Sequence, residues 1–391
     1  MVIHRVEAGE NLHTISRKYG VSPAKIIENN ALASPDKLSV GKELLILTPT
    51  KTYTVRGGDT LDGIARRFDT TERELKRCNP YLSEKRITYP EQVIAIKHDT
   101  PSHGAVLFNG YYYRDTPRER LRQALATSDI ITVSAYTVRD GRLKRIFNDS
   151  PVLDAIKESG KEGVMRIYTA DSLDTLNERR DPLAKDIVKS AKEGGYRGIS
   201  LSAWRALEDK NYLPFFEYLK ECLNSESLYF TVECDRAITG LSQISDRAVL
   251  QYEKLFENEI PSFEDGEKKF YGDYAKSCEA SRTFLDLPSL GYIGDEGATE
   301  SEIDALAYRL GKEIYYDEKK KICYFDIIER GRPNESKRVA YESLENTKAK
   351  LGLVSSLGFM GISFDIMRIP IKVLMMAVNT FADTYSASGE I

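Results

Sequence analysis

The stretch EGGYRGISLSAWRALED, residues 193–209, decides how most of the chain folds. Its centre, GISLS, alternates apolar Ile199 and Leu201 with Ser200 and Ser202, which is the period of a strand. Before it runs DPLAKDIVKSAKEGG, with apolar residues at helical spacing and paired glycines at its end. After it comes DKNYLPFFEYLKECL, a second amphipathic segment. A short strand enclosed by helices is the unit of a parallel sheet, because parallel neighbours need a crossover between them. Residues two apart share a face, so Ser200, Ser202 and Trp204 align, and the chain's single tryptophan stands at the strand's C-terminal end. No acid is among the three.

The same alternation repeats through the remaining residues after 104. AVLFNGYYY, DIITVSAYT, GVMRIYT, SLYFTVEC, TFLDLPSLGYI and FMGISFDIM read as further strands, separated by helical segments such as RERLRQALATS and PVLDAIKESG. One more, weakly marked, is expected near RAVLQYE. Close to eight strands in about 290 residues fit a (β/α)8 TIM barrel over 105–391. EIYYDEKKKICYFDIIE alternates like a hairpin and is expected in a small α+β insertion, about 294–345, before the last strand. Barrels of this kind place chemistry at the C-terminal ends of their strands, where Trp204 stands.

The first hundred residues are organised differently. HRVEAGENLHTISRKYGVSPAKIIENN aligns without gaps on YTVRGGDTLDGIARRFDTTERELKRCN at an offset of 49. A fixed period means two copies of one unit. Each copy reads as strand, helix, helix, strand, with Ser22 and Thr71 as N-caps of the second helix. Both copies closely resemble LysM modules, here over 1–48 and 51–97, with 98–104 (HDTPSHG) as linker. The resemblance implies binding of N-acetylglucosamine-containing glycans, chiefly peptidoglycan and chitin, in a shallow groove. The matching positions are Gly9, Glu10, Asn11, Leu12, Asn30, Ala31 and Leu32 in the first copy. In the second they are Gly58, Asp59, Thr60, Leu61, Asn79, Pro80 and Tyr81. Any of them can either touch sugar or simply shape the loops. Tyr89-Pro90 departs from the pattern that Val40-Gly41 keeps.

The multidomain α/β chain as a whole is similar to the LysM-bearing branch of family 18 glycoside hydrolases that acts on spore cortex peptidoglycan. The stretch 194–223 resembles that family's fourth strand, SDIITVSAYTVRDGRLKRI its second, and RVAYESLENTKAKLGLVSSLGFMGISF its insertion exit and eighth strand. The resemblance implies a Glu that protonates the leaving oxygen, an Asp two residues earlier that orients the acetamido group, and further acids before it. Those positions read Trp204, Ser202, Ser200 and Arg197. Trp cannot donate a proton as a carboxylic acid does, and loss of a placed acid–base costs about 10²–10⁴ in rate. Glu233, Asp235 and Asp365 end other strands and are candidate substitutes; the bland alternative is a polar rim. A family Tyr-Asp falls near Tyr252-Glu253, and the sugar-floor Trp corresponds to Phe364 or Asp365. Tyr111, Tyr112 and Tyr113 either stack on sugar or pack.

Composition excludes several classes. The 56 Lys+Arg and 60 Asp+Glu nearly cancel, giving no bulk reason for a nucleic-acid or anionic-membrane partner. Five scattered cysteines with no C-x-x-C suggest neither a disulfide framework nor a metal site, and no cofactor motif is present. No apolar run spans a bilayer; IPIKVLMMAVNTF, broken by Lys372, suits a packed helix. The N-terminus lacks an apolar h-region, so no signal peptide is expected. That suits a spore coat or cortex and equally the cytoplasm. Two readings follow. One is a glycan-binding protein, on peptidoglycan or another N-acetylglucosamine polymer, whose barrel is an inactive scaffold or lectin. The other is a hydrolase with relocated acids. A barrel that binds or inhibits another protein is a third, on which the residues are silent, as they are on oligomeric state.

Overall fold

A computed structural model of the chain describes residues 1–79, 82, 90–98, 106–209, 211–238, 240–252, 260–287, 290–294, 296–329 and 332–381. The first repeat is a strand (Val2–Arg5), two helices (Leu12–Tyr19 and Pro23–Asn30) and a strand (Glu43–Ile46) that pairs antiparallel with the first. Asn11 and Ser22 cap the two helices, and a proline opens the second. The second repeat follows the same order: Pro49–Thr54, Leu61–Arg67, Glu72–Cys78 and Val93–His98, with Thr60 and Thr71 as caps. Each repeat has its own small core, built in the first around Ile15, Ile26 and Leu44 and in the second around Ile64, Leu75 and Ile94.

Eight parallel strands then close into a barrel. In order they are Leu107–Tyr112, Ile130–Arg139, Glu162–Thr169, Gly198–Ser202, Tyr229–Cys234, Arg247–Leu250, Thr283–Asp286 and Gly361–Asp365, and the first pairs with both the second and the eighth. Hereafter they are barrel strands one to eight. The weakly marked segment RAVL is strand six. TFLDLPSLGYI, expected to be one strand, is two: its first part is strand seven and Leu290–Ile293 belongs to the insertion. Strand two continues into a hairpin strand, Arg142–Arg145, through Asp140 and Gly141, both at positive φ (53° and 64°). A two-residue turn with that backbone favours Asp-Gly.

Alternation sorts the barrel side chains. Tyr111, Ile130, Val164, Val249 and Phe284 fill the interior, while Ile199, Leu201, Phe230, Val232 and Phe364 face out into the helix layer. Between strand seven and strand eight stands a five-stranded antiparallel sheet in the order Glu296–Thr299, Leu290–Ile293, Arg332–Glu342, Ile322–Glu329, Tyr315–Asp317, with helix Glu300–Leu310 packed on it. The insertion thus starts at 290, and its 315–329 hairpin is where the alternation predicted it.

The first repeat is docked on this body. Leu45 and Leu47 turn away from their own module and join the barrel's outer core. Glu43 is wholly buried: Arg5 donates to Oε1 (2.8 Å) and the backbone N–H of Leu344 donates to Oε2 (2.6 Å). The C-terminal helix Ile371–Thr380 is buried on nearly all sides, and the second helix of each repeat packs against it. That accounts for the apolar run near the C-terminus. Among the described residues no helix is long and apolar enough to cross a membrane.

Candidate functional site

Strand four brings Ser200 and Ser202 into the barrel interior, both buried, and what they meet there is the carboxylate of strand five. Glu233 is 0% exposed. Arg166, inward from strand three, donates Nε to Oε1 and Nη2 to Oε2, each at 2.7 Å. The Ser200 hydroxyl donates to Oε1 at 2.9 Å, the Tyr111 hydroxyl at 3.3 Å, and Ser202 also bonds the carboxylate. The Arg166 guanidinium lies 5.2 Å from the Tyr111 ring centre and 6.0 Å from that of Tyr113. Burial alone would raise the Glu233 carboxyl. The bidentate arginine and the two serines outweigh it and hold the group below the usual carboxylate range. A carboxylate held in this way is ionised and fully bonded, whereas a general acid must carry a proton near the working pH.

The other sequence candidates fall in different surroundings. Asp235 is on the turn after strand five, 3.6 Å from Arg236. Asp365 ends strand eight and accepts from the backbone N–H of Met367 (2.8 Å) and Arg368 (3.3 Å), so it shapes the following turn; burial raises its carboxyl despite those bonds. Arg197 is exposed at the start of strand four, at the end of the barrel opposite the mouth. Trp204 begins a single helical turn, Trp204–Leu207, and its side chain lies outside the described residues. Tyr252 points out of the barrel into an aromatic cluster, 5.2 Å from Phe270 and 6.2 Å from Tyr271, and Glu253 is outside the described residues. Phe364 is wholly buried in the helix layer, so it is no sugar floor: the outward positions of strand eight are Ile362 and Phe364, and the inward ones Ser363 and Asp365. Of the three tyrosines at the end of strand one, Tyr112 packs on Phe147 outside, while Tyr111 and Tyr113 face Arg166.

Two inward residues have no counterpart among the sequence candidates. Asp286, ending strand seven, accepts the Ser363 hydroxyl at 2.6 Å, and burial pushes its carboxyl up to about 7. Arg166 is the other. Its signal was present in GVMRIYT, since a cation on the inward face of a buried strand requires a counter-charge on a neighbouring strand. Tyr168, two residues on, is 48% exposed at the mouth. Among the described residues no group of three or more His, Cys, Asp or Glu is placed to hold a metal ion.

The LysM positions divide into framework and surface. Asn30 donates to the carbonyls of Ile26 and Leu45 (both 2.9 Å) and accepts from the N–H of Leu45 (2.7 Å). Asn79 repeats this with Leu75 and Ala95 at 2.7, 2.7 and 2.8 Å. Each ties the end of a helix to the returning strand. Glu10 accepts from the Glu7 N–H and bonds His4, both at 2.8 Å, and Asp59 does the same with Arg56 (2.7 Å) and Tyr53 (2.8 Å), closing the strand–helix turns. Gly9 and Gly58 occupy those turns at φ 84° and 90°, where glycine avoids a Cβ penalty. Leu12, Leu61 and Leu32 are core. Asn11 and Thr60 are exposed N-caps, and Ala31 is exposed in the left-handed region. Pro80, Tyr81 and Tyr89 lie outside the described residues, as does 99–104 of the linker.

Comparison with known proteins identifies the N-terminal repeats and the fold. Residues 4–47 and 53–97 match the LysM domain family, so the chain carries two LysM domains. The spore cortex-lytic enzyme SleL of Bacillus cereus has the same fold over 97% of this chain and 98% of its own, with a TM-score of 0.74 at 18% identity. A chitinase from Chromobacterium violaceum shares the barrel, covering 72% of this chain and 100% of its own, with a TM-score of 0.63 at 15% identity. In sequence, the cell wall-binding protein YocH of Bacillus subtilis is 38% identical over 96 residues, 24% of this chain and 32% of that protein. The chain spans about a third of the length of several curated relatives it matches.

Proposed function

We propose that the chain is a non-hydrolytic glycan-binding protein of the spore cortex or coat, holding N-acetylglucosamine-containing polymer, peptidoglycan first, through its LysM domains. The observation that carries the loss of hydrolysis is the Arg166–Glu233 pair. Strand four supplies two hydroxyls and no carboxylate, and its hydroxyls are engaged by a neighbouring carboxylate that is already neutralised. Among the described residues nothing at that point can both protonate a leaving oxygen and stabilise a developing oxazolinium ion. The glycan half of the reading rests on the two LysM matches, and the location on the fold shared with a spore cortex-lytic enzyme. Two weak sites on one chain gain by avidity on a polymer.

The test is sedimentation of the whole chain with insoluble peptidoglycan, with release by soluble N-acetylglucosamine oligomers, alongside a reducing-end assay at high protein concentration. Retention without reducing ends is expected; absence of retention overturns the binding, and sustained release of reducing ends overturns the inactivity. A second reading, a hydrolase with a relocated acid, is favoured by one observation: Asp286, whose carboxyl sits near 7 at the end of strand seven. Under that reading any reducing-end release disappears in Asp286→Asn.

A further inference from the structure

The second loop of the first LysM domain is exposed and faces the barrel across a cleft. Residues 30–34 and Lys37 form one wall of a cleft of about 700 Å³, whose other walls are helix Glu300–Leu310 of the insertion and the turn 367–372 that follows barrel strand eight. That volume falls within the range of small-ligand sites, about 300–1,000 Å³. We propose that this cleft binds a carboxylate-bearing, N-acetylated glycan, gripped between the LysM domain and the barrel. The inference rests on the glycan-binding reading above and names the class of glycan and the surface that selects it.

Three features of the lining carry it. The first is a stacking face. Ser301, Ala305 and Tyr308 recur at helical spacing toward the cleft, and Tyr308 is 45% exposed beside the small Ala305. An aromatic ring this exposed suits the C–H face of a pyranose ring. The second is a vacant acceptor. Asp304 Oδ2 pairs with Lys42 of the LysM domain at 2.7 Å, but its buried Oδ1 has no donor. A buried acceptor without a partner is costly, and an acetamido N–H or a sugar hydroxyl supplies what it lacks.

The third is surplus positive charge. Each carboxylate in the lining is already paired: Glu43 with Arg5, Glu300 with Lys372, Asp304 with Lys42. Lys37 and Arg309 also line the cleft, and among the described residues neither is ion-paired; the Lys37 ammonium sits 5.8 Å from the Tyr308 ring centre. The chain carries a net charge of -4, so two unpaired cations beside a stacking ring are a local feature. A neutral polymer has no use for them; a glycan with carboxylate substituents does. The walls are also fixed in place. Lys372 donates to the Glu43 carbonyl at 2.9 Å, and the Ile314 N–H donates to the Val40 carbonyl at 2.9 Å, so little order has to be gained on binding.

The experiment titrates the whole chain, by calorimetry and by hydrogen exchange over 300–310, with two ligands of equal length: a soluble peptidoglycan fragment carrying lactyl or peptide carboxylates, and a neutral N-acetylglucosamine oligomer. In the unmodified chain the acidic fragment binds more tightly and protects 300–310. Lys37→Glu with Arg309→Glu weakens the acidic fragment roughly tenfold and leaves the neutral oligomer unchanged. Tyr308→Ala weakens both and removes the protection. All three substitutions are at exposed positions, and unaltered thermal unfolding checks that the fold is kept. Tight binding of the acidic fragment with no protection of 300–310, or with variants equal to the unmodified chain, overturns the cleft and leaves glycan binding standing. Binding of neither ligand overturns both.

Discussion

Arg166 and Glu233 meet inside the barrel from strands three and five, joined by two parallel hydrogen bonds of 2.7 Å, with the serines of the intervening strand turned onto the same carboxylate. Removing one partner leaves a buried charge without compensation, which costs about 3–5 kcal/mol. Arg166→Leu and Glu233→Gln are each expected to lower stability in urea denaturation, the arginine change more. The double change Arg166→Leu with Glu233→Gln should cost less than the sum of those two single changes. Additive losses would mean that the two side chains are not coupled.

Restoring the acids of strand four is expected to fail for the same reason. In Ser202→Asp with Trp204→Glu, the new aspartate lies beside a carboxylate that Arg166 already saturates. Like charges at that range raise one another's pKa and destabilise the ionised state. The melting temperature of Ser202→Asp should fall more at pH 8 than at pH 5, and adding Glu233→Gln should recover part of the loss by freeing Arg166. An unchanged melting temperature at both pH values would contradict the geometry.

Asn30 and Asn79 should behave as framework residues. Alanine at either position leaves a backbone N–H and two carbonyls without their bonds, a loss of about 1–3 kcal/mol for that module. Hydrogen exchange is the suitable readout: faster exchange over 26–46 in Asn30→Ala, and over 93–98 in Asn79→Ala. Slower binding with unchanged exchange would instead assign them to sugar contact.

Asp286 gives a pH dependence of definite sign. Its carboxyl is raised from the ordinary 3.8 to about 7, so the folded chain holds a proton that the unfolded chain has released between those values. Stability from this group is therefore present at low pH and is lost as pH rises from about 4 to about 7. In Asp286→Asn that fall should flatten, so that the variant gains on the unmodified chain at pH 8 relative to pH 4.5, as measured by urea midpoints at each pH.

The architecture was readable because its signals are local. The gapless repeat, the caps Ser22 and Thr71, and the alternation of GISLS depend on neighbours a few residues away. Strand six could be placed although RAVL is short, since strand and helix segments must alternate in such a barrel. The split of TFLDLPSLGYI was not readable, because a chain leaving the barrel for the insertion stays extended across the junction. The site was legible in what it lacks. Ser200 and Ser202 in the interior stood out, but the partner that occupies them, Glu233, is 33 residues beyond Ser200, and which strand faces which is set by barrel closure. Phe364 shows the limit of a matched position: one step along a strand reverses the face, and with it the role.

The C-terminal helix Ile371–Thr380, wedged against the second helix of each LysM domain, changes what tethering means for this chain. Two binding modules on a loose string sample a sphere, and their joint grip depends only on how far the string reaches. Modules packed on one helix have their spacing set by it. Were both modules to grip one polymer, that set separation would make them a caliper: strands whose repeat matches the span would be held at both points, and the rest at one.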